Sequence, residues 1–537
     1  MAKVIVNDVT VELKDDERLN GIQVARQAGF DIPHYCWHPG LSVVASCRMC
    51  LVESGRCDAE TGEISMMPKL VPACQTPAMD GSVFVTESEK VHRARAQVEE
   101  ALLIDHPIDC PVCDKAGECN LQDYHFKHGQ EQRRADIRPF TSRRRSLGDT
   151  VTLFVDRCVM CSRCVRFCRE ISGTSELMVT GRGSGEEIDV FPGFPLENKL
   201  SGNVVDLCPV GALGDKDFLY SQRVWFMQNR PGVCAGCSTG CSIQIDENQD
   251  RVYRIRPREN PQVNHWWICD EGRYGFHGVH DENRFTLPSQ RQQEQWVPLE
   301  WESVCEELQG AMSRAQRPAV VVSPFLTVEE AYLLVTYARQ VQTNVTCVLG
   351  HIPSLGVDET FPNGFCISAE KCPNRRGVEE VLKHGRQRLI DWDGFMQQCD
   401  AEPFDMIWLS GGYSQDWINA DDLSRLSSAS YLIQHDLLPS AISEMAHMRL
   451  PEVAFAERDG SYVNRDDVLQ SFGWAVRSPA GVWSTGQLCW RLLQRSGLYD
   501  APAVLAEMAQ EIPYFSVALP PVPEHGIDLK INQLVES

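Results

Sequence analysis

Fifteen of the 23 cysteines in this chain, together with one histidine, fall into four groups whose spacing is typical of iron–sulfur ligands. The first group is Cys36, Cys47, Cys50 and Cys74, and the second is His106, Cys110, Cys113 and Cys119. The third is Cys158, Cys161, Cys164 and Cys208, and the fourth is Cys234, Cys237, Cys241 and Cys269. The pattern predicts one [2Fe–2S] cluster and three [4Fe–4S] clusters, because CxxC places two thiolates on one turn and a remote ligand closes each cage.

The first group has the spacing C-x10-C-x2-C-x23-C, which differs from the plant-type ferredoxin spacing. The last gap contains the polar stretch GRCDAETGEIS, so we expect Cys57 on a loop. The competing site is a zinc ribbon, which usually uses two CxxC pairs. Because this group has a single pair, the spacing favours [2Fe–2S].

The second group is unusual because His106 precedes the cysteine triplet in HPIDCPVCDKAGEC. A neutral imidazole in place of a thiolate makes the ligand set less negative and tends to raise the reduction potential. The triplet otherwise lacks a fourth partner, which favours ligation by His106. Two alternatives remain open: Cys74 or another cysteine completes the cage, or the site is Cys3His zinc.

The third group begins in CVMCSRCVRFC and ends in CPVGAL. In two-cluster ferredoxins the fourth cysteine of such a run serves the other cluster. Cys208 has no cysteine triplet of its own, so we predict one cluster and interpret Cys168 as a buried non-ligand, with ligation as its alternative. The fourth group, C-x2-C-x3-C-x27-C, also suits [4Fe–4S], and zinc is its alternative.

Composition narrows the class of protein. Six cysteines follow residue 276, and their default interpretation is small buried hydrophobic side chains: Cys305, Cys347, Cys366, Cys372, Cys399 and Cys489. The net charge of −23 argues against nucleic-acid binding through phosphate contacts. We find no run of 18 apolar residues, and the alternating first residues do not form a signal peptide.

Several local patterns predict secondary structure. Residues 3–13 predict a β-hairpin around Asn7-Asp8, followed by a short helix that stops near Gly29. Extended segments at 70–73 and 83–85 complete a β-grasp ferredoxin. Thr86-x-x-Glu89 predicts a capping box before a helix with residues 91, 94, 98 and 102 on one face.

Beyond about residue 285 the pattern changes to alternating strands and helices, which predicts a parallel α/β layer. Strands are expected at 319–323, 345–349, 406–409 and 431–433, and Thr327-x-x-Glu330 predicts a helix start. We find no glycine-rich nucleotide fingerprint.

These segments together resemble one family, the large iron–sulfur subunit (the G subunit) of bacterial NADH–quinone oxidoreductase, respiratory complex I. The segments that carry the resemblance are PHYCWHPGLSVVASCRMCLVE, HPIDCPVCDKAGECNLQD, DRCVMCSRCVRFC with SGNVVDLCPVGAL, and CAGCSTGC with WWICDEGRYG. They lie within residues 1–280. CPNRRGVE and FAERDGSYVN are weaker matches to the family's molybdopterin-oxidoreductase-like region.

The resemblance implies an electron-transfer subunit that carries no catalytic residue and does not bind NADH itself. A flavin-containing NADH-binding partner supplies electrons, which pass singly through the first, third and second groups toward quinone-module subunits. The fourth cluster is thought to lie off that path. The resemblance also implies a peripheral position on the cytoplasmic side of the bacterial inner membrane, with membrane contact through the complex.

We therefore expect a multidomain α+β protein. Its predicted domains are a [2Fe–2S] β-grasp ferredoxin (1–82), a His/Cys3 [4Fe–4S] domain (83–125), a ferredoxin-like [4Fe–4S] domain (126–222), a molybdopterin-oxidoreductase-like [4Fe–4S] module (223–284) and a shortened α/β domain with a parallel sheet (285–537). The last region is short for a molybdopterin enzyme, and nothing specifies Cys366 or Cys372 as a molybdenum ligand, so molybdopterin is not expected.

Two other functions compete. The first alternative is the related cluster-bearing diaphorase subunit of an NAD-linked hydrogenase or formate dehydrogenase. A hydrogenase catalytic subunit would need additional cysteine motifs after the ferredoxin region, and none appears; a formate dehydrogenase would need a longer pterin-binding region. A zinc-stabilised scaffold is the non-enzymatic alternative. A C-x2-C-x2-C run followed by a remote Cys-Pro is typical of ferredoxins, which favours iron.

Overall fold

The computed structural model describes residues 2–14, 17–132, 134–135, 143–181, 183–385, 388–413 and 417–532. The chain divides into two units. The first unit is Met1–Met227 with Phe361–Asn363, and the second is Gln228–Thr360 with Gly364–Ser537. The finer division into five domains stays a prediction.

The first unit begins with a mixed sheet. Its strands are β1 (Ala2–Val6), β2 (Val9–Leu13), β3 (Leu51–Cys57), β4 (Ile64–Met66), β5 (Val71–Pro72) and β6 (Ser82–Val85). They run in the order β2-β1-β6-β3-β4 with β5 beside β3, and β1 and β6 are parallel. The hairpin predicted over 3–13 is confirmed by β1 and β2, which turn at Asn7 in the left-handed region (φ 51°). Cys57 ends β3, so its expected loop position is wrong.

A helix packs on this sheet. The helix α1 (Gly21–Gln27) starts at Asn20, whose side chain accepts from the backbone N–H groups of Ile22 and Gln23. The chain leaves it through Gly29 at φ 85°, which agrees with the predicted stop. Ile22 and Val24 then pack in one core with Val4, Val6 and Phe84 of the sheet.

The capping box predicted at Thr86 is wrong. The helix α2 (Glu89–Leu103) has Ser88 as its N-cap, because the Thr86 backbone N–H and hydroxyl bond the Asn7 side chain instead. The predicted apolar face of this helix, at residues 91, 94, 98 and 102, is also wrong in part. Alongside Val91 and Ala96 the helix buries Arg95 and Glu99, and Glu99 accepts a hydrogen bond from the Tyr35 hydroxyl.

The rest of the first unit consists of short elements. Its helices are α3 (Asn120–His128), α4 (Arg163–Glu170) and α5 (Asn203–Leu207), and its strands are β7 (Arg144–Ser146), β8 (Val151–Phe154), β9 (Leu177–Thr180), β10 (Glu187–Val190) and β11 (Leu213–Asp215). The strand β8 lies between β11 and β7, and β9 pairs with β10. Cys158 follows β8 closely, and Cys208 lies between α5 and β11.

The second unit opens with an antiparallel sheet. Its strands are β12 (Gln228–Val233), β13 (Ser242–Asn248) and β14 (Arg251–Pro257), in that order, and the short helix α6 (Asp270–Tyr274) follows. Both faces of β13 are largely buried, with Ile243 and Ile245 almost completely inaccessible.

A larger sheet forms the centre of the second unit. Its strands are β15 (Ser289–Gln292), β16 (Gln295–Pro298), β17 (Pro318–Val322), β18 (Thr346–Leu349), β21 (Met406–Ser410), β22 (Tyr431–Asp436) and β23 (Met448–Pro451). A separate two-stranded sheet consists of β19 (Glu359–Thr360) and β20 (Cys366–Ile367). A three-stranded sheet consists of β24 (Gly460–Val463), β25 (Val468–Phe472) and β26 (Ile527–Asp528). The order of the large sheet is β16-β15-β23-β22-β21-β17-β18. From β23 to β18 neighbouring strands are parallel, so the predicted parallel layer and all four predicted strands are confirmed.

Helices cover both faces of that sheet. They are α7 (Trp301–Arg314), α8 (Val328–Val341), α9 (Arg375–Lys383), α10 (Trp392–Ala401), α11 (Ala420–Leu426), α12 (Thr485–Leu492) and α13 (Ala501–Glu511). The capping box predicted at Thr327 and Glu330 is confirmed at the start of α8. Val320 and Val322 face one apolar cluster and Ala319 and Val321 the other, as a strand buried on both faces requires.

Candidate metal centres

The first ligand group lies in loops around β3 and β5. Its cysteines are buried or half-buried: Cys36, Cys47, Cys50 and Cys74. Their thiols hydrogen-bond in pairs, Cys36 with Cys47 and Cys50 with Cys74. The bond from Cys47 lowers the pKa of Cys36 to about 5, and that from Cys50 lowers the pKa of Cys74. The same pairing, together with burial, raises the pKa of Cys47 and of Cys50 above the usual range. Four cysteines that lie together in this way suit a [2Fe–2S] cluster, which binds them as thiolates.

A strained turn shapes the first group. Ala45 and Arg48 both have left-handed backbone, at φ 50° and 59°, on either side of Cys47. Backbone hydrogen bonds from Ser46 and Cys47 reach the Cys36 thiol and help to lower its pKa. Backbone N–H groups aimed at ligand sulfur are a means of tuning reduction potential.

The second group surrounds a cavity in the first unit. Cys110 and Cys113 flank a short 3-10 turn, Cys119 caps α3, and His106 completes the lining. Burial lowers the pKa of His106 to about 4, and the nearby Arg157 guanidinium contributes to the lowering. The imidazole is therefore neutral at pH 7, as a metal ligand must be. These four side chains fit a [4Fe–4S] cluster.

Arg157 and Gly211 also border the second group. Arg157 donates to Asp109 at 2.9 Å, and its guanidinium lies 4.1 Å over the ring of Phe154. A Cβ built on Gly211 would overlap the Cys113 sulfur, so this position requires glycine. Sequence reasoning missed both residues, because their partners are distant along the chain.

The third group encloses another cavity of the first unit, which Cys158, Cys161, Cys164 and Cys208 all line. Burial raises the pKa of Cys158 to about 12 and that of Cys161 to about 11, and in both cases Cys208 contributes. Thiols buried this close together repel each other as anions, and bound iron relieves that cost. They fit a [4Fe–4S] cluster.

Cys168 lies one turn beyond Cys164 on α4 and is inaccessible to solvent. It is not among the residues of the described chain that line the cavity. Burial raises its pKa to about 12, with Glu176 adding to the effect and a bond to Ser172 opposing it. Cys168 is near enough to contribute to the raised pKa of Cys164, but it lies outside the cavity lining, which agrees with a non-ligand role.

The fourth group lies in the second unit, between β12 and β13 and at the start of α6. Cys269 caps α6 and accepts from the Gly272 N–H at 3.3 Å, and Cys234 accepts from the Gly236 N–H at 3.4 Å. A Cβ on Gly272 would lie 2.9 Å from the Cys234 sulfur. Burial raises the pKa of Cys241 well above its usual range, with the three other cysteines of the group adding to it.

A cavity of about 710 Å³ borders this group and is lined by Cys234, Lys371, Tyr413 and Trp417, among others. Lys371 forms an ion pair with Glu271 at 2.5 Å. Within the described chain, neither Cys366 nor Cys372 is among the lining residues. The two cysteines considered for molybdenum are therefore not presented to this space.

The second and third groups have one feature in common, since the ligands of each line a cavity. Among the described residues, no set of three or more histidine, cysteine or acidic side chains is arranged as the ligands of a single metal ion.

Family models match four successive segments of the chain. They are the 2Fe-2S iron-sulfur cluster binding domain (2–89), the NADH-ubiquinone oxidoreductase-G iron-sulfur binding region (95–134), the NADH-quinone oxidoreductase subunit 3 ferredoxin-like domain (148–214) and the molybdopterin oxidoreductase Fe4S4 domain (227–281). The chain is thus an α+β iron–sulfur protein with both 2Fe-2S and 4Fe-4S binding domains.

Relatives confirm the resemblance drawn from the motifs. The NADH-quinone oxidoreductase G subunit of Rickettsia felis is 31% identical over 346 residues, which are 64% of this chain and 50% of the relative. The NADH-ubiquinone oxidoreductase 75 kDa subunit of Reclinomonas americana is 34% identical over 337 residues, 62% of this chain and 47% of the relative. The chain is similar to these subunits and spans about half of their length.

A solved NAD+-reducing [NiFe]-hydrogenase in the H2-reduced state is 26% identical and covers 42% of this chain and 91% of its own, with a TM-score of 0.34. A TM-score this low gives no basis for an argument about the fold. Among the described helices, none has the length and apolar character needed to cross a lipid bilayer.

Proposed function

We propose that this chain is the electron-transfer subunit of an NADH–quinone oxidoreductase. In this proposal the four ligand groups hold one [2Fe–2S] and three [4Fe–4S] clusters, with the ligands named above. A flavin-containing partner oxidises NADH and passes single electrons to the first group. They continue through the third and second groups toward quinone-module partners, at the cytoplasmic side of a bacterial inner membrane. The clusters supply the redox chemistry, and the chain positions them and tunes their potentials.

One observation supports this order most directly. Cys208 belongs to the third group, and Gly211, three residues later, packs against Cys113 of the second group. The Asn120 N–H, next to Cys119, also donates to the Pro209 carbonyl at 2.9 Å. Because one short loop touches both groups, the third and second sites are neighbours, as stepwise transfer between them requires.

The surface near the second group supports an exit for electrons there. Cys110 is exposed, and large apolar side chains nearby are solvent-accessible: Ile108, Val112, Trp225 and Phe226. The Arg223 side chain connects the two segments by donating to the Cys113 carbonyl at 2.8 Å and lying 5.4 Å over the Trp225 ring. Exposed apolar surface of this kind is typical of sites where proteins dock.

The N-terminal sheet with its packed helix supports a β-grasp ferredoxin as the holder of the first group. The diaphorase alternative would use the same sites with a hydrogenase or formate dehydrogenase partner. Copurification distinguishes the two, because quinone-module partners fit the first function and a hydrogenase or formate dehydrogenase catalytic subunit fits the second.

The direct test is to purify the chain anaerobically, count iron and zinc, and record EPR spectra of the reduced protein. We expect about 14 iron atoms per chain and both [2Fe–2S] and [4Fe–4S] signals. Zinc without iron would contradict electron transfer and favour the scaffold alternative. Iron near ten with one [4Fe–4S] signal missing would leave one site vacant or zinc-filled.

A further inference from the structure

A buried arginine of α4, Arg166, contacts ligands of two different groups. One nitrogen of Arg166, Nη2, donates to the Cys36 carbonyl of the first group and to the Cys161 carbonyl of the third group, the latter at 3.3 Å. Its second nitrogen, Nη1, donates to the Ser42 carbonyl in the loop that follows Cys36. Arg166 is 2% exposed, so these bonds form away from water. The guanidinium thus joins the two ligand groups through a single atom.

Two other side chains of α4 hold the same loop. Arg163 donates to the Trp37 carbonyl at 2.6 Å and to the Leu207 carbonyl, next to Cys208, at 3.2 Å. Glu170 accepts from the Ser42 N–H at 2.8 Å and from the Ser42 hydroxyl at 2.6 Å. The loop of the first group is therefore fixed on the helix that carries Cys164.

The positive charge of Arg166 also affects the nearby ligand groups. Burial lowers its pKa, whereas neighbouring Cys161, Cys36 and Glu170 raise it and Arg163 lowers it. The Arg166 bonds described above go to backbone carbonyls and not to carboxylates, so its positive charge is not cancelled by a salt bridge at those contacts. A buried cation stabilises nearby anionic ligands and, when these hold redox centres, favours the more negative, reduced state.

We propose that Arg166 is a positioning residue for electron transfer, which connects Cys36 to Cys161 and places one positive charge beside both sites. This inference rests on the proposed function. In the step concerned, one electron leaves the first site and enters the third, so that the first is oxidised and the third reduced by one electron. No proton is exchanged and no covalent bond forms or breaks.

Two variants separate the effect of the Arg166 hydrogen bonds from the effect of its positive charge. Arg166→Lys keeps the charge but loses the planar guanidinium, whose two nitrogens hold the Ser42 carbonyl and both ligand carbonyls at once, whereas Arg166→Gln loses the guanidinium and the charge. Each is made in the full chain and purified with its native partners under anaerobic conditions. The readouts are iron content, the midpoint potentials of the first and third sites from EPR redox titration, the magnetic interaction between them, and the rate at which NADH reduces the third site.

We expect the lysine variant to keep both potentials, to weaken the magnetic interaction and to slow reduction of the third site about tenfold or more, because ångström-scale displacement is costly for a positioned reaction. We expect the glutamine variant to show the same losses and, in addition, lower potentials at both sites. A merely structural residue would not produce this split between rate and potential.

Two matched controls accompany these variants. Arg169→Lys and Arg169→Gln change an arginine of the same helix whose side chain is 63% exposed and pairs with Glu170. Tyr124→Phe removes a hydroxyl that accepts from the His34 N–H at 3.2 Å, near Cys36 but at neither ligand carbonyl. We expect unchanged potentials and rates in these controls.

Each outcome has a separate meaning. If the wild-type complex lacks the two EPR signals, the proposed function fails before Arg166 is tested. If those signals are present and the Arg166 variants match the Arg169 variants, this inference fails alone. If the glutamine variant loses iron, the lysine variant decides the question. Iron loss from both would assign Arg166 to assembly only and would overturn the coupling role.

Discussion

Cys164 and Cys168 show how the surroundings of a residue decide its chemistry. Both are buried on α4, four residues apart, and both belong to the CxxCxxCxxxC run. Cys164 lines the cavity of the third group and Cys168 does not. Burial is the main cause of the raised pKa of Cys168, Glu176 adds to it, and hydrogen bonds with Leu177 and Ser172 oppose it. One helical turn is enough to give two similar side chains different neighbours.

This difference predicts opposite effects of serine at the two positions. Cys164→Ser should remove about four iron atoms per chain and one [4Fe–4S] EPR signal, because a cage ligand is lost. Cys168→Ser should keep the iron and the signal. Iron analysis and EPR of the reduced proteins provide the measurement, and loss of the same signal in Cys168→Ser would make Cys168 the ligand.

At the scale of elements, the loop between α5 and β11 serves two groups at once. It carries Cys208, and its Gly211 faces Cys113 without room for a side chain. Gly211→Ala should therefore perturb or empty the second site while the third site keeps its cluster. EPR distinguishes the signals of the second and third sites. Gly185→Ala is the matched control, because a Cβ at that position meets nothing within 4 Å. An unchanged second signal in Gly211→Ala would contradict this packing.

The start of α8 predicts a pH dependence in the second unit. Burial raises the pKa of Glu329 to about 7, while its carboxylate accepts from the Ser461 N–H at 2.9 Å. From about pH 4.5 to 7 the unfolded chain has lost this proton and the folded chain keeps it, so stability falls as pH rises through that window.

Glu329→Gln removes that titration. Relative to wild type, the opening free energy of α8 should rise by about 2 kcal/mol between pH 5 and pH 7.5. Amide hydrogen exchange at α8, corrected for the intrinsic pH effect, measures it. The control is Glu302→Gln at an exposed position of α7, which should follow wild type. Identical pH slopes for wild type and Glu329→Gln would show that the buried carboxyl does not titrate there.

For the whole molecule, the division into two units separates the ligand groups. The first three lie in the first unit and the fourth in the second. The contacts that link the groups described above run between the first and third through Arg166 and between the third and second through Gly211. Whether the fourth group lies on the path of electrons is a separate question, which a variant of that group tests.

Cys237→Ser tests this question in the assembled complex. We expect the variant to lose about four iron atoms per chain. NADH–quinone electron transfer per assembled complex should stay near the wild-type rate. Cys164→Ser, which interrupts the proposed path, is the comparison and should abolish transfer. If Cys237→Ser also abolishes transfer with assembly intact, the fourth cluster is on the path.

Much of the molecule was predictable because its determinants are local. The hairpin at 3–13, the capping box at Thr327 and the alternating strands of the second unit depend on residues within one or two turns of each other. The candidate ligand groups could also be proposed from the sequence, since CxxC spacing follows from the geometry of one turn. The cap of α2 was mispredicted because Asn7, far away in sequence, engages Thr86.

The sequence by itself was enough to predict the candidate iron ligands, the class of protein and several helices and strands, because each prediction depends on short-range spacing. Tertiary structure alone decided which ligand groups contact the same side chains. Arg166 bonds the carbonyl groups of Ser42 and Cys36, which lie 124 and 130 residues away, and no sequence periodicity predicts such a contact. Tertiary structure also decided that Gly211 borders the second group and that Cys168 lies outside the cavity of the third group, because burial and packing arise when distant segments meet.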